Sequence, residues 1–351
     1  MKIIITLCVL ICWSNSFSLT NKNVMIFMAA DNNLESYAIS DLQEIQQKNY
    51  PQLTIKIQAH LNKISYRMIK DNDSLSQKKF NQINHPQSQL QDFLNWAYDK
   101  EKENYLILWG HGQGPKNRNS LEEFGGLFTD SKNYHSLSTE DLGLILSPYK
   151  ISMLIFDMCL MQNISVHSHL QNGPEIIIGS AQVQNLIGLP YQSVLESIST
   201  SSTQAEIAKS IVQQTAIAMP NKNFTFSAIY SSGYESIAQK LLILKNELKN
   251  FLELDPYQEF IYSTYYIDLP TFPGGYYDLG MYLGILKLMH FENLNLPKKI
   301  LRRITSIQDE ISFHTIKKSI GSHYTDGRAP YYIEFFQGLS TTSEYVVVPQ
   351  I

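Results

Sequence analysis

Tyr105-Leu106-Ile107-Leu108-Trp109-Gly110-His111-Gly112-Gln113-Gly114 is the stretch on which the reading of this chain turns. Five apolar residues in succession leave no polar position for a solvent face. Such a run suits a strand covered on both sides, as in a parallel sheet. It ends in a glycine-rich turn carrying one histidine, and reactive groups in open parallel sheets gather where strands end. A phosphate cradle is the alternative for such a turn. Gly110 to Lys116 lacks the Walker spacing, however, and no Ser or Thr follows the lysine.

Similar runs lie to either side: Val24 to Met28, Leu53 to Ile57, Met153 to Phe156, Ile176 to Ile178 and Phe224 to Tyr230. Helical patterns alternate with them at Asn33 to Gln47, Gln87 to Lys100, Thr139 to Leu146, Leu160 to Leu170 and Gln204 to Ala218. Ser138 with Asp141 resembles a capping box in which Asp replaces Glu. This βα alternation predicts an α/β fold with a mostly parallel sheet between helices. From about Gly233 the pattern changes. Helices are expected at Glu235 to Leu252, Asp278 to His290 and Pro297 to Ile311, with a stretch containing Pro270, Pro273, Gly274 and Gly275 between the first two. We therefore divide the chain into residues 1–18, 19–232 and 233–351, the last a helical C-terminal subdomain or extension.

Residues 1–18 read as a secretory signal peptide: Lys2 as the positive start, Ile3 to Ile11 apolar, then small residues before a cleavage point. The apolar run is too short to span a bilayer, which takes roughly 20 residues. Val9-Leu10-Ile11 before Cys12 lacks the small residue expected ahead of a lipidated cysteine, so a lipoprotein is not favoured. The expectation is a secreted or periplasmic protein without a membrane span. Cleavage removes Cys8 and Cys12 and leaves Cys159 as the sole thiol, so no intrachain disulfide can form. The formal charge of -4 becomes -4 - 1 = -5 without Lys2, with no basic face to suggest a nucleic-acid partner.

Three strand exits carry chemistry: Ala29-Ala30-Asp31-Asn32-Asn33-Leu34-Glu35, the turn around His111, and Asp157-Met158-Cys159-Leu160-Met161. A histidine and a cysteine at such exits suit a pair in which imidazole takes the thiol proton. A helix beginning right after Cys159 would put the thiol near a helix N-terminus, where the thiolate is favoured. Gly112, with bare backbone, and Cys159 offer their N–H groups as an oxyanion hole. Plainer readings stand beside these. Free cysteine is among the most buried residue types, a loop histidine is commonly just a hydrogen-bonded polar residue, and Asp31 suits a helix cap. His167 and His169 lie about 12 and 15 Å along the expected helix from Cys159, beyond its reach. His60 also ends a strand, and only strand order decides its case.

The motifs Met28 to Glu35, Leu108 to Gly114, Ile155 to Met161 and Gly188-Leu189-Pro190-Tyr191 resemble those of the clostripain-like cysteine peptidases, relatives of caspases, legumains and gingipains. In the last motif Leu189 fills an aromatic slot. The resemblance runs over residues 24–191. It implies a caspase-like three-layer sandwich with a six-stranded sheet in the order 2-1-3-4-5-6. Adjacent third and fourth strands, at about 4.8 Å, would bring His111 beside Cys159, and His60 would lie roughly 14 Å off. The resemblance also implies a thiol endopeptidase acting on peptide or protein substrates through an acyl-enzyme, with His111 as base and Cys159 as nucleophile. Asp157 matches a pocket acid that would pair with Arg or Lys at the cleavage point, and Asp31 would help shape the site. An alternative role for Asp157 is to hold nearby backbone N–H groups.

This chain departs from the pattern after strand five. Ser180 to Ile187 contains no acid, so no second pocket carboxylate is evident. Relatives can be self-cleaved between the His and Cys motifs and respond to calcium. Lys116, Arg118 and Lys132 lie in that segment without a diagnostic motif, and Asp130 alone does not make a calcium site. No cofactor is expected to be required. Two other functions fit the same residues: a transpeptidase using the dyad, and a silent secreted binding module, against which intact His111, Gly112 and Cys159 speak. A metal-dependent hydrolase lacks its His-Glu-x-x-His or cysteine cluster.

Overall fold

The computed structural model describes residues 22–71, 74–80, 85–116, 125–128, 136–219, 224–266, 271–272, 276–292, 294–320, 339–341 and 345–347. The signal-peptide assignment, Arg118, Lys132 and Asp130 fall outside them.

Apolar runs form the centre of a nine-stranded sheet. In chain order it contains β1 (Lys22–Ala29), β2 (Leu53–Leu61), β3 (Ile64–Asp71), β4 (Ser74–Phe80), β5 (Glu103–Trp109), β6 (Met153–Asp157), β7 (Ile176–Gly179) and β8 (Thr225–Tyr230). The far strands β9 (Thr271–Phe272), β10 (Tyr276–Asp278) and β12 (Ser340–Thr341) form a second small sheet, while β11 (Thr315–Ile320) joins the first. The order β11-β8-β7-β6-β5-β1-β2-β3-β4 contains the six expected strands in the expected sequence. Strands β2, β1, β5, β6 and β7 run parallel; β8, β11 and the β3–β4 hairpin are antiparallel additions at the edges.

Alternation along β1 explains the layers. Val24, Ile26 and Met28 face one side; Met25 and Phe27 face the other, all fully buried. On the first side pack α1 (Glu35–Gln47), α5 (Tyr191–Thr200) and α6 (Gln204–Ala218). On the second pack α2 (Pro86–Ala97), α3 (Thr139–Leu146) and α4 (Ile164–His169). The Ser138 cap forms as expected: its hydroxyl donates to Asp141 Oδ2 and accepts the Asp141 N–H. Phe27 packs against Phe93 of α2 and against Phe128, with ring centroids 5.5 and 5.1 Å apart, so burial of the sheet also anchors the loop carrying Phe128. Truncating so enclosed a phenylalanine costs about 3–5 kcal/mol.

Beyond residue 233, α7 (Tyr234–Glu253), α8 (Pro256–Tyr266), α9 (Leu279–Glu292) and α10 (Lys298–His314) enclose a second core. The stripe Ile300, Ile304, Ile307 and Ile311 of α10 meets Leu241, Leu244 and Leu248 of α7 there. Ile164 of α4 and Ile229 of β8 belong to this core as well, and β11 pairs with β8, so the late segment is joined to the central sheet.

Candidate active site

The site stands on the register of β5 and β6. Trp109 lies beside Asp157 in adjacent parallel strands, and His111 and Cys159 each follow two residues later. The Gly110 N–H donates to the Asp157 carbonyl at 3.4 Å and carries the pairing past the strand end. Gly112 then packs against the cysteine turn. A methyl group there would run into the Cys159 carbonyl oxygen and crowd Met158 Cβ at 3.0 Å and Met161 Cγ at 3.1 Å. Glycine is required at this position by close approach of two backbones. Among the described residues, neither the Gly112 nor the Cys159 N–H donates to a protein acceptor.

The His111 turn is braced from below. Phe128 N–H donates to the His111 carbonyl at 2.9 Å, and Gln113 N–H to the Gly126 carbonyl at 3.0 Å. The His111 ring is half-buried and its Nε2 lies 2.8 Å from Asn33 Oδ1. An amide oxygen only accepts, so Nε2 carries the proton and the free lone pair sits on Nδ1. Burial holds the imidazole below its ordinary pKa, which favours the neutral base. Asn33 thus orients the ring, a role missed from sequence although the residue lies in a quoted motif. Asp31 accepts the Lys63 N–H of the β2–β3 turn at 3.1 Å and does not cap α1, whose N-cap is Leu34.

The helix expected from Leu160 starts later, at Ile164, with Asn163 as its cap. Residues 160–162 are instead tied to the neighbouring strand exit: Leu160 N–H to the Gln182 carbonyl and Gln162 N–H to the Ser180 carbonyl, both at 3.0 Å. Leu160 accordingly takes a left-handed conformation, φ 63°. The thiol is therefore not at a helix N-terminus, and its environment acts in the opposite direction from that expected. Burial pushes the Cys159 thiol up, the Gln184 N–H that reaches Sγ at 3.3 Å lowers it, and the charge of Asp157 raises it again. Leu160, Ala181 and Tyr276 wall the half-buried sulfur. Tyr276 comes from β10, and its hydroxyl donates to the Gln113 carbonyl at 2.9 Å. That aromatic wall, from far down the chain, gave no sequence signal.

Asp157 lies beneath this surface, 6% exposed. Its carboxylate accepts from Gln184 Nε2 at 2.6 Å, Tyr191 Oη at 3.1 Å and Leu189 N–H at 3.4 Å. The Gly188-Leu189-Pro190-Tyr191 motif is thereby explained: two of its members hold the acid, and Gly188, with φ +70°, passes where a Cβ would come within 3.2 Å of Asp157 Oδ2. Burial raises Asp157 to about 6 against these hydrogen bonds.

The remaining histidines stand apart. His60 on β2 is buried against Ser65 and Gln58, separated from β6 by β1 and β5. His167 is buried against Gln162, and His169 bonds Thr139. Among the described residues no group of three His, Cys, Asp or Glu side chains is arranged to hold a metal. No helix among them is long and apolar enough to cross a membrane.

A profile of the clostripain family matches residues 26–280. The chain is similar in fold to a secreted C11 cysteine protease from Bacteroides thetaiotaomicron solved with an irreversible peptide inhibitor. The TM-score is 0.67 at 19% identity, covering 95% of this chain and 94% of that one. An inactive zymogen C11 protease from Parabacteroides distasonis gives 0.66 at 17% identity, with 93% of each chain covered. No match was found among curated proteins.

Proposed function

The chain belongs to the clostripain family of cysteine peptidases, and from that premise we propose that it is an exported endopeptidase with Cys159 as nucleophile and His111 as base. One observation carries the assignment: the Trp109–Asp157 register, which sends His111 and Cys159 out of neighbouring strands with Gly112 against the cysteine backbone. Export rests on the signal-peptide pattern of residues 1–18, and fits a fold shared with a protease described as secreted.

The chemistry follows from the side chains. His111 Nδ1 takes the thiol proton as Sγ attacks the peptide carbonyl carbon, and the unengaged N–H groups of Gly112 and Cys159 receive the oxyanion. Collapse breaks the C–N bond, and His111 returns the proton to the leaving amine. Water, deprotonated by His111, then splits the thioester and restores the thiol. A thiol raised by burial is protonated at rest, so transfer to His111 accompanies attack and no standing ion pair precedes it. Asp31, tied to Lys63, would act by fixing the β2–β3 turn beside the exit of β1.

The substrate class we propose is peptides with Arg or Lys before the scissile bond. Asp157 supports this as a buried acid at the end of β6, two residues before the cysteine, that pairs with no Lys or Arg among the described residues. The test is turnover of reporter peptides ending in Arg, Lys or a neutral residue by wild type, Cys159→Ala and His111→Ala. Both variants should lose turnover, and Asp157→Asn should lose the basic preference. Full activity after iodoacetamide treatment would refute the thiol mechanism.

A further inference from the structure

Position 41 breaks the apolar stripe of α1. The buried positions are Ala38, Asp41, Leu42 and Ile45, a helical spacing in which an acid faces the core. Asp41 is 5% exposed, and its Oδ2 accepts from Trp109 Nε1 at 2.8 Å. Trp109 is the residue registered with Asp157 across β5 and β6. Asp41 is thus joined through Trp109 to the strand beside Asp157, whose charge reaches it, and no Lys or Arg among the described residues pairs with either acid. Buried like charges without a cation are costly.

A third group beside them is incomplete. Gln184 is 8% exposed, its N–H reaches Cys159 Sγ and its Nε2 reaches Asp157. Its other terminal atom, Oε1, is buried without a hydrogen-bond partner. Gln184 Oε1 is an acceptor in want of a donor, next to acids in want of a cation.

We propose that Asp41 is the second acid of the pocket, so that Asp41, Asp157 and Gln184 Oε1 together receive the guanidinium or ammonium group of the substrate residue before the cleaved bond. This rests on the basic-residue reading above and adds the carboxylate that the segment after strand five lacks. The groups facing the pair are Glu44 of α1, Tyr191 of α5 and, for Asp157, the thiol of Cys159. None is a cation. Burial, then the charge of Asp157, raises Asp41 to about 8, with the Trp109 bond acting against them. An arriving cation favours the charged form of both carboxyls and so expels a proton that burial leaves on the pair.

Two measurements test this. The first is kcat/KM for a peptide with arginine before the reporter against one with neutral citrulline, in wild type, Asp41→Asn and Asp157→Asn, with melting curves to verify folding. Asp41→Asn should lower the arginine-to-citrulline ratio about 10- to 100-fold. If only Asp157→Asn lowers the ratio, the second-acid proposal falls while the basic-residue reading stands; a wild type without preference for arginine sinks that reading itself. The second measurement needs no variant: calorimetry of a product peptide ending in arginine, in two buffers of different ionisation enthalpy at pH 7. Release of about one proton is expected, and binding without proton release overturns the proposal.

Discussion

Substituting Gly112 by alanine tests the geometry on which the site depends. The added methyl meets three atoms at once: the Cys159 carbonyl oxygen, which it overlaps, Met158 Cβ at 3.0 Å and Met161 Cγ at 3.1 Å. Carbon contacts prefer about 3.5–4.0 Å, so the two turns must separate by roughly 1 Å. The Cys159 carbonyl and Met158 Cβ are attached directly to backbone and cannot swing away, so the cysteine turn itself moves. Overpacking of this kind costs about 1–3 kcal/mol, a fall in Tm on the order of 1–4 °C for a chain of this size. If His111 and Cys159 act as the proposed base and nucleophile, a displacement near 1 Å between them costs on the order of 100-fold in rate. The assay is kcat/KM on a reporter peptide at a temperature at least about 15 °C below the variant's midpoint, so that unfolding cannot account for the loss. Gly173→Ala serves as the control. Its added methyl meets only the Leu170 carbonyl at 3.3 Å and Leu146 Cβ at 3.7 Å, far from the strand exits. Should Gly112→Ala retain kcat/KM within about threefold of wild type, the close approach is not what holds the pair, and the reasoning fails.

Asn33→Ala should lower kcat about 10-fold or more with little change in KM, because the ring loses the acceptor that fixes its tautomer; Asn33→Asp, which still accepts, should recover part of it, and an unchanged kcat in the alanine variant refutes the role. The thiol stands above its ordinary pKa, so less thiolate exists at neutral pH, and the rate of iodoacetamide alkylation should still be climbing past pH 9. A rate already level by pH 7 would mean a resting thiolate–imidazolium pair. Tyr276→Ala should open the thiol and speed alkylation at pH 8 at least about threefold, while Tyr276→Phe, losing one hydrogen bond to Gln113, should cost only about 0.5–1.5 kcal/mol in a denaturant titration. An unchanged alkylation rate in the alanine variant would show that the ring does not cover the sulfur.

Strands buried on both faces are legible because no residue in them serves solvent; β1, β5, β6 and β7 are of this kind. The edge strands are not. Thr315-Ile316-Lys317-Lys318-Ser319-Ile320 and the β3–β4 hairpin carry Lys, Ser and Gln in numbers that read as loop, and charge is how sheet edges are protected from further pairing. The chemistry-bearing pair could be picked out because histidine and cysteine followed apolar runs. Asn33 was hidden among three polar neighbours, Asp31, Asn32 and Glu35, of which any could have turned towards the histidine. Asp41 did leave a trace, a carboxylate at a buried helical position, but periodicity alone marks such a residue as an irregularity in the stripe. The thiol environment was misread because Leu160 to Gln162 form backbone bonds to Gln182 and Ser180, a long-range contact that overrides the local helical pattern.

Strand β11 lies 85 residues beyond the end of its partner β8 (315 - 230), and Tyr276 lies 163 residues from Gln113, whose carbonyl its hydroxyl reaches. A protein shortened after residue 232 would retain His111, Gly112 and Cys159, yet present the raw edge of Thr225–Tyr230 to any passing chain. The Cys159 thiol would stand without an aromatic flank. During synthesis the same condition holds transiently: the early strands emerge first, and the sulfur gains its full enclosure only when the final third of the polypeptide has arrived. Enclosure of the thiol is thereby tied to the arrival of residues more than a hundred positions further along the chain.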